Sequence, residues 1–338
     1  MKKVKKYGTL GPSCADPETL RLMLQEGMDG IRLNLSHTTL GEASDLIDAY
    51  HNAAAACGVC PELLIDLQGP ELRIGRLAAP IVLTDGETLS LDAIPFPVEL
   101  RTVLEQCPCG QEILLDDGKL LLEKSSSPNA SALQLRVIRG GRLESRKSVA
   151  APGCVIPSPA LTAQDREQLR AAKSYGVTGV MQPFVRGGED LLALRQCMEQ
   201  AGCGQLRLLA KVENMAGVEK LPELLPYCDE IVIARGDLGN SMNLWELPGV
   251  QKQISRRCRE AGRDFMVVTQ MLDSMIHNPV PTRAEVSDIF NAVLDGASSV
   301  MVTGETATGS YPVCTIRYLS KTVREAETYL QASSRSVK

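Results

Sequence analysis

Short apolar runs alternate with amphipathic stretches along this chain. Residues 3–10 read as a first strand, and 17–26 as the helix after it. The order repeats with a strand at 30–34, a helix at 39–56 and a third strand at 62–66. Then it breaks. From Leu72 to Cys154 the apolar positions come in short runs, such as Ile81-Val82-Leu83 and Leu133-Gln134-Leu135-Arg136-Val137, divided by Gly, Pro and Asp turns. That pattern predicts a small all-β insert. The strand-then-helix order resumes at Thr162, which reads as the N-cap of a helix reaching Ser174. Strands follow at 179–182, 206–211, 230–234, 265–269 and 299–303. Helices are predicted at 189–200, 216–225, 250–261, 283–294 and 312–330.

Eight strands, each followed by a helix, predict an α/β fold: a (β/α)8 TIM barrel with the small all-β domain inserted after strand 3. An open doubly wound sheet is the alternative. The barrel is favoured because no glycine-rich dinucleotide fingerprint follows the first strand. Residues 1–71 then form the first part of the barrel, 72–154 the insert and 155–330 the second part. Residues 331–338 read as a polar tail with no core to join.

Composition narrows the function classes. The chain has 338 residues, 44% hydrophobic and 23% charged, with a net charge of −5. That balance and the lack of any Lys/Arg block argue against a nucleic-acid surface. No apolar run is long enough to span a bilayer. The basic start, Met1 to Lys6, is followed by no apolar h-region, so a secretory signal is not expected. The 11 cysteines are scattered and odd in number. Cys107-Pro108-Cys109 and the Cys197, Cys203 pair lack the spacing of a zinc site, and Cys57 and Cys60 form a single CxxC without a partner pair. Reduced thiols and a cytoplasmic location are the expectation.

Barrel enzymes carry their chemistry at the carboxyl ends of the strands. Those ends give Thr9; Arg32, Asn34 and Ser36; Asp66; Gln182; Lys211 and Glu213; Asp237; Thr269; and Thr303 with Glu305. These groups are expected to converge on one mouth. With only three histidines, of which His37 alone lies near a strand end, a histidine base or a three-histidine zinc site is disfavoured. The carboxylates with Asn and Ser oxygens suit hard cations such as Mg²⁺, Mn²⁺ or K⁺. Arg32, Arg73 and Lys211 beside them suit a phosphorylated substrate. Singly, each residue has a plainer reading. Lys211 and Glu213 also read as a buried ion pair, Asp237 as a turn residue between glycines, and Asn34, Ser36 and Asp66 as loop caps. The weight rests on the conjunction.

Seven segments in register closely resemble the pyruvate kinase family: Thr9-Leu10-Gly11-Pro12-Ser13; Arg32-Leu33-Asn34-Leu35-Ser36-His37; Asp66-Leu67-Gln68-Gly69-Pro70-Glu71-Leu72-Arg73; Lys211-Val212-Glu213-Asn214; Ala234-Arg235-Gly236-Asp237-Leu238-Gly239; Thr269 to Met275 with Pro281 to Glu285; and Gly304-Glu305-Thr306-Ala307. The resemblance spans nearly the whole chain. It implies a kinase moving the phosphoryl group of phosphoenolpyruvate to ADP or another nucleoside diphosphate, giving pyruvate and ATP. Glu213 and Asp237 would hold Mg²⁺ or Mn²⁺. Asn34, Ser36, Asp66 and the Leu67 carbonyl would hold K⁺, and Glu71 matches the K⁺-dependent members. Arg32 and Lys211 would grip the phosphoryl group. The amides of Gly236 and Asp237 and the Thr269 hydroxyl would bind the substrate carboxylate, and Thr303 would stand on the proton route to the enolate. Thr9, Pro12, Asn34, His37, Arg73, Asp117 and Lys147 would line the nucleotide side. The insert would act as a lid that excludes water.

The chain also departs from the family's pattern. Thr38 stands for a glycine, Glu42 for an aromatic residue facing the nucleotide, Thr308 for a lysine that reaches its phosphates, Gln68 for a lysine and Pro183 for a serine. The nucleotide half is eroded while the phosphoenolpyruvate and metal half is kept. The usual C-terminal domain is not represented, so no sugar-phosphate activation and an altered homo-oligomer are expected. The erosion keeps two alternatives open: a metal-dependent lyase acting on 2-oxo acids in the same pocket, and a non-catalytic metabolite-binding homologue.

Overall fold

Strands whose every residue is apolar need cover on both faces, and parallel sheets provide it. Ile231-Val232-Ile233-Ala234 is fully buried in this way. A computed structural model of the chain describes residues 3–116, 118–125, 133–154 and 159–335. Eight strands close into a parallel barrel: β1 (Lys5–Thr9), β2 (Gly30–Asn34), β3 (Glu62–Asp66), β4 (Gly179–Gln182), β5 (Arg207–Val212), β6 (Glu230–Ala234), β7 (Asp264–Val268) and β8 (Ser299–Met301). Each strand pairs with its sequence neighbours, and β8 closes on β1 through Lys5 opposite Ser299. Tyr7, Leu64, Met181, Leu209, Val232 and Met266 pack together in one cluster from alternate positions on their strands, which fills the barrel with side chains.

The connecting helices bury one face each. Leu247–Glu260 turns Gln251, Ile254, Ser255 and Cys258 inward, at the i, i+3, i+4, i+7 spacing of one helical stripe. Thr162 caps Ala163–Ala172 as expected: its side chain accepts from the Asp165 N–H, and Asp165 answers from its own carboxylate to the Thr162 N–H. Thr282 and Glu285 repeat the device on Arg283–Leu294.

Three differences from the sequence reading have local causes. The helix expected over 216–225 is two short ones, Met215–Glu219 and Leu221–Leu224, because Pro222 cannot donate to the preceding turn. The last helix runs Pro312–Arg335, so residues 331–335 are not a tail. No Gly or Pro stops it after Leu330, and exposed polar turns extend a helix already anchored by its core face. A further short helix, Arg235–Asn240, follows β6 directly in a glycine-rich stretch that gave no helical signal.

The chain divides into two compact units. One comprises Met1–Gly69, Ala160–Arg235 and Glu246–Lys338; the other Pro70–Pro159 with Gly236–Trp245. The second unit holds an antiparallel five-stranded sheet, in the order Val149–Ala150, Glu112–Leu115, Leu120–Ser125, Gln134–Arg139, Thr88–Ser90, and a two-stranded ribbon of Ile81–Leu83 with Gly141–Leu143. It also holds the helix Val98–Gln106, which alternation did not predict. Leu100 and Leu104 of that helix are buried at i, i+4 against the sheet's core residues Leu122 and Leu135. Among the described residues no helix is long and apolar enough to cross a membrane.

Candidate active site

Strand alternation decides which polar groups reach the barrel axis. Asp66 shares its face of β3 with Leu64, and Lys211 shares its face of β5 with Leu209, both inner-layer residues. Gln182 follows the inner-layer Met181 and so points the other way. Its Nε2 donates to the Asp190 carbonyl at 3.1 Å, in helix Gly188–Gln200. The expected convergence therefore holds for Asp66 and Lys211 and fails for Gln182.

Asp66 is the centre of the arrangement. Its Oδ2 accepts from Arg32 Nε at 2.9 Å and Nη2 at 2.5 Å, and from Lys211 Nζ at 3.0 Å. The same ammonium lies 2.8 Å from Glu213 Oε1. Glu213 Oε2 accepts the Phe184 N–H at 2.7 Å. Both carboxylates are buried, at 1% and 3% exposure. Burial pushes the Asp66 carboxyl up, but the Lys211 and Arg32 charges outweigh it and hold the group below the usual range. Burial pushes the Lys211 ammonium down, and Asp66 and Glu213 outweigh that too, so its pKa is raised. Asp66 Oδ1 is buried and has no hydrogen-bond partner among the described residues. An acceptor left unmet in a buried site is costly unless a ligand completes it.

The loops beside this cluster are held by Asp165, Arg235 and Glu305, of which the sequence had named Glu305 among the strand-end groups. Asp165 Oδ1 accepts the Gln68 N–H at 2.9 Å and Oδ2 the Gly69 N–H at 3.2 Å, so the segment after Asp66 is pinned to a buried carboxylate. Gly69 sits at φ +60°, and a Cβ there would lie 2.4 Å from Pro183 Cγ, so the turn admits only glycine. Thr269 and Gln270 both take positive φ, 78° and 54°. For a β-branched residue that is strained backbone. Arg235 holds it: Nε and Nη2 donate to the Thr269 carbonyl at 3.1 and 2.7 Å, and Nη1 pairs with Asp288 at 2.6 Å. Glu305, 1% exposed, accepts the Leu272 N–H at 3.0 Å and the Thr303 N–H at 2.6 Å, and the Thr303 hydroxyl at 3.2 Å. Asp165 was readable only as a capping partner of Thr162. Asp288 gave no signal.

The other named residues fall as follows. Asn34 Oδ1 accepts the Ser36 N–H at 3.2 Å, the loop-capping geometry, and the His37 N–H donates to the Asn34 carbonyl at 3.5 Å. Leu67 is buried, and its N–H donates to the Met181 carbonyl at 3.1 Å. Thr9 is buried; its hydroxyl donates to the Val302 carbonyl at 3.0 Å, which commits it to the seam between β1 and the end of β8. Pro12 is exposed and opens a 3-10 turn over Pro12–Cys14. In the second unit, Arg73 pairs with Glu71 at 2.9 Å and donates to the Arg146 carbonyl at 3.0 Å. Lys147 pairs with Asp116 at 2.8 Å. Asp117 lies outside the described residues. Gly236 and Asp237 lie at the start of Arg235–Asn240, also in the second unit. Among the described residues no group of three or more His, Cys, Asp or Glu is placed to hold a metal ion. Mg²⁺ commonly needs only one or two carboxylates besides substrate oxygens and water.

Comparison with known proteins gives one consistent result. The family model "Pyruvate kinase, barrel domain" matches residues 1–316. The chain is 35% identical over 334 residues to a pyruvate kinase of Chlamydia pneumoniae, covering 96% of this chain and 69% of that one. A pyruvate kinase of Methylorubrum extorquens is 36% identical over 334 residues, with the same coverage. One of Aeropyrum pernix is 36% identical over 320 residues, covering 94% and 69%. With the closed barrel, the inserted β unit and a family match over nearly its whole length, this chain belongs to the pyruvate kinase family.

Proposed function

We propose that this chain transfers the phosphoryl group of phosphoenolpyruvate to ADP, or another nucleoside diphosphate, giving pyruvate and ATP. One observation carries the reading: Lys211 and Arg32 converge on a single buried oxygen of Asp66, with Glu213 in contact with the same ammonium. Phosphoryl transfer needs placed positive charge more than a covalent group. The raised pKa of Lys211 keeps it an ammonium through neutral pH, so it acts as a fixed charge and not as a base. Lys211 and Arg32 grip the phosphoryl oxygens as these develop charge. The amides of Gly236 and Asp237 and the Thr269 hydroxyl hold the substrate carboxylate. Thr303, whose hydroxyl is oriented by Glu305, stands on the proton route to the enolate.

The residues suit two cations. The unmet Asp66 Oδ1 is a hard oxygen acceptor in a buried site, which fits K⁺ shared with Asn34, Ser36 and the Leu67 carbonyl. Glu213 and Asp237 would hold Mg²⁺ or Mn²⁺. Bound there, the ions would supply charge neutralisation for the group in transfer. Thr9, Pro12, Asn34, His37, Arg73, Asp117 and Lys147 form the nucleotide side. Two of the departures there are tied up locally. Glu42 Oε2 accepts the Thr39 N–H at 2.9 Å, and the Thr308 hydroxyl donates to the Gly304 carbonyl at 3.2 Å.

A coupled assay that reads pyruvate through lactate dehydrogenase tests the proposal. With Mg²⁺ and K⁺ present, pyruvate should form from phosphoenolpyruvate only when ADP or another nucleoside diphosphate is added. No pyruvate with any of the common nucleoside diphosphates at millimolar concentration would overturn it.

A further inference from the structure

Two half-buried cysteines of the second unit face each other. Cys107 Sγ and Cys154 Sγ are 3.1 Å apart, 47 positions apart in sequence. A disulfide bond is ~2.05 Å long, so closing the pair needs an approach of about 1 Å. Both segments are tied down by other contacts. Cys107 ends helix Val98–Gln106, where Lys124 Nζ donates to the Leu104 carbonyl at 2.8 Å and the Cys107 carbonyl at 2.6 Å. On the facing segment, Gln111 Nε2 donates to the Pro152 carbonyl at 2.8 Å and the Cys154 N–H to the Ala151 carbonyl at 3.1 Å. The two sulfurs are therefore held in register by groups that have no need of a thiol. A paired, partly accessible dithiol is the arrangement in which one oxidised sulfur has its resolving partner close at hand.

We propose that Cys107 and Cys154 form a reversible disulfide within the inserted unit, a modification site for small-molecule disulfides such as oxidised glutathione. The Cys107 thiolate attacks one sulfur of oxidised glutathione. The glutathione S–S bond breaks, and its electron pair leaves on one glutathione thiolate. The Cys154 thiolate then attacks the Cys107 sulfur of the mixed disulfide and expels the second glutathione. Two protein thiols are oxidised, one disulfide is reduced, and the two protons end on two glutathione thiols. Burial, with the Cys107 sulfur beside it, pushes the Cys154 thiol up in the reduced pair. The bond would enclose the strands Glu112–Leu115, Leu120–Ser125 and Gln134–Arg139, and so constrain most of the unit's sheet when it opens.

The test uses the full chain incubated with oxidised glutathione or with dithiothreitol, trapped with N-ethylmaleimide and mapped by peptide mass spectrometry. The expected result is one linked peptide pair carrying Cys107 and Cys154, two hydrogens lighter and reversed by dithiothreitol. It should persist in Cys109→Ser and vanish in Cys154→Ser, where Cys107 keeps a glutathione adduct. In the oxidised wild type, proteolysis between residues 108 and 153 should slow by about tenfold. Both thiols fully alkylated after an oxidant that oxidises a free dithiol peptide, or Cys107 linked to any other cysteine, would overturn the proposal.

Discussion

Three donors crowd one oxygen of Asp66 while its other oxygen has none among the described residues. That asymmetry assigns work within the carboxylate: one oxygen orders Arg32 and Lys211, and the other is left to a ligand. Replacing Lys211 by Met deletes the charge proposed to face the phosphoryl group and keeps the side chain's length. Turnover in the coupled assay should fall by several orders of magnitude, while Mg²⁺ binding by calorimetry stays nearly unchanged. Near-wild-type turnover would show that Lys211 does not face the reacting group. At Thr308, on the proposed nucleotide side, the sign is opposite. The Thr308 hydroxyl is folded back onto Gly304, so Thr308→Lys costs a weak local contact and adds a cation. It should lower the KM for ADP by about tenfold, the value of one charge-assisted phosphate contact, and leave the KM for phosphoenolpyruvate unmoved.

Loops carry this site, and strand ends and helix starts hold the loops. Helix Ala163–Ala172 presents Asp165 to the Gln68 and Gly69 amides, so it fixes the turn that follows Asp66. Asp165→Ala should raise the K⁺ concentration for half-maximal rate several-fold while keeping most of kcat at saturating K⁺, measured by titrating KCl in the coupled assay. A loss of kcat that excess K⁺ does not restore would make Asp165 a purely structural residue. The contrast with what the sequence showed is physical. The ranges 30–34, 62–66, 179–182 and 230–234 were legible to the residue, because each is a short stretch built on Ile, Leu, Val or Met and bounded by polar or turn-forming groups. Thr162 was legible as a cap because capping acts over three residues. The second bond of Asp165, across 97 positions to Gln68, left no trace in local spacing. Nor did the grip of Arg235 on the strained Thr269 carbonyl, 34 positions away. The helix Val98–Gln106 was hidden by brevity: two buried leucines do not make a period.

At the scale of the whole barrel, the end opposite the site is closed by a second ionic network. Arg207 at the start of β5 bonds Glu62 Oε2 and Glu230 Oε2, each at 2.5 Å, and so joins the starts of β3 and β6. The Tyr7 hydroxyl donates to Glu62 at 2.7 Å, Lys5 pairs with Glu62, and the Ser299 hydroxyl donates to Glu230 at 2.6 Å. Five strands thus meet in one polar layer beneath the apolar fill. Glu230 is 1% exposed, so it is tolerable as a charge only while Arg207 is present. Arg207→Ala should destabilise the fold by about 3–5 kcal/mol, read as a lower urea midpoint. Acid gives an independent readout. Burial raises the Glu62 pKa, but Lys5, Tyr7 and Arg207 outweigh it and hold the folded value below the ordinary 4.5. A carboxyl depressed on folding adds stability that is complete above its unfolded pKa and is lost as pH falls through the folded one. Asp66 behaves alike, from an ordinary 3.8. Wild-type stability should therefore hold from neutral pH down to about 5 and drop below about 4. Removing Arg207 deletes one of the charges that depress Glu62, so the variant's acid unfolding should begin at higher pH than the wild type's, followed by circular dichroism. Coincident acid transitions in the two proteins would mean that the layer beneath the barrel is held by packing and not by its charges.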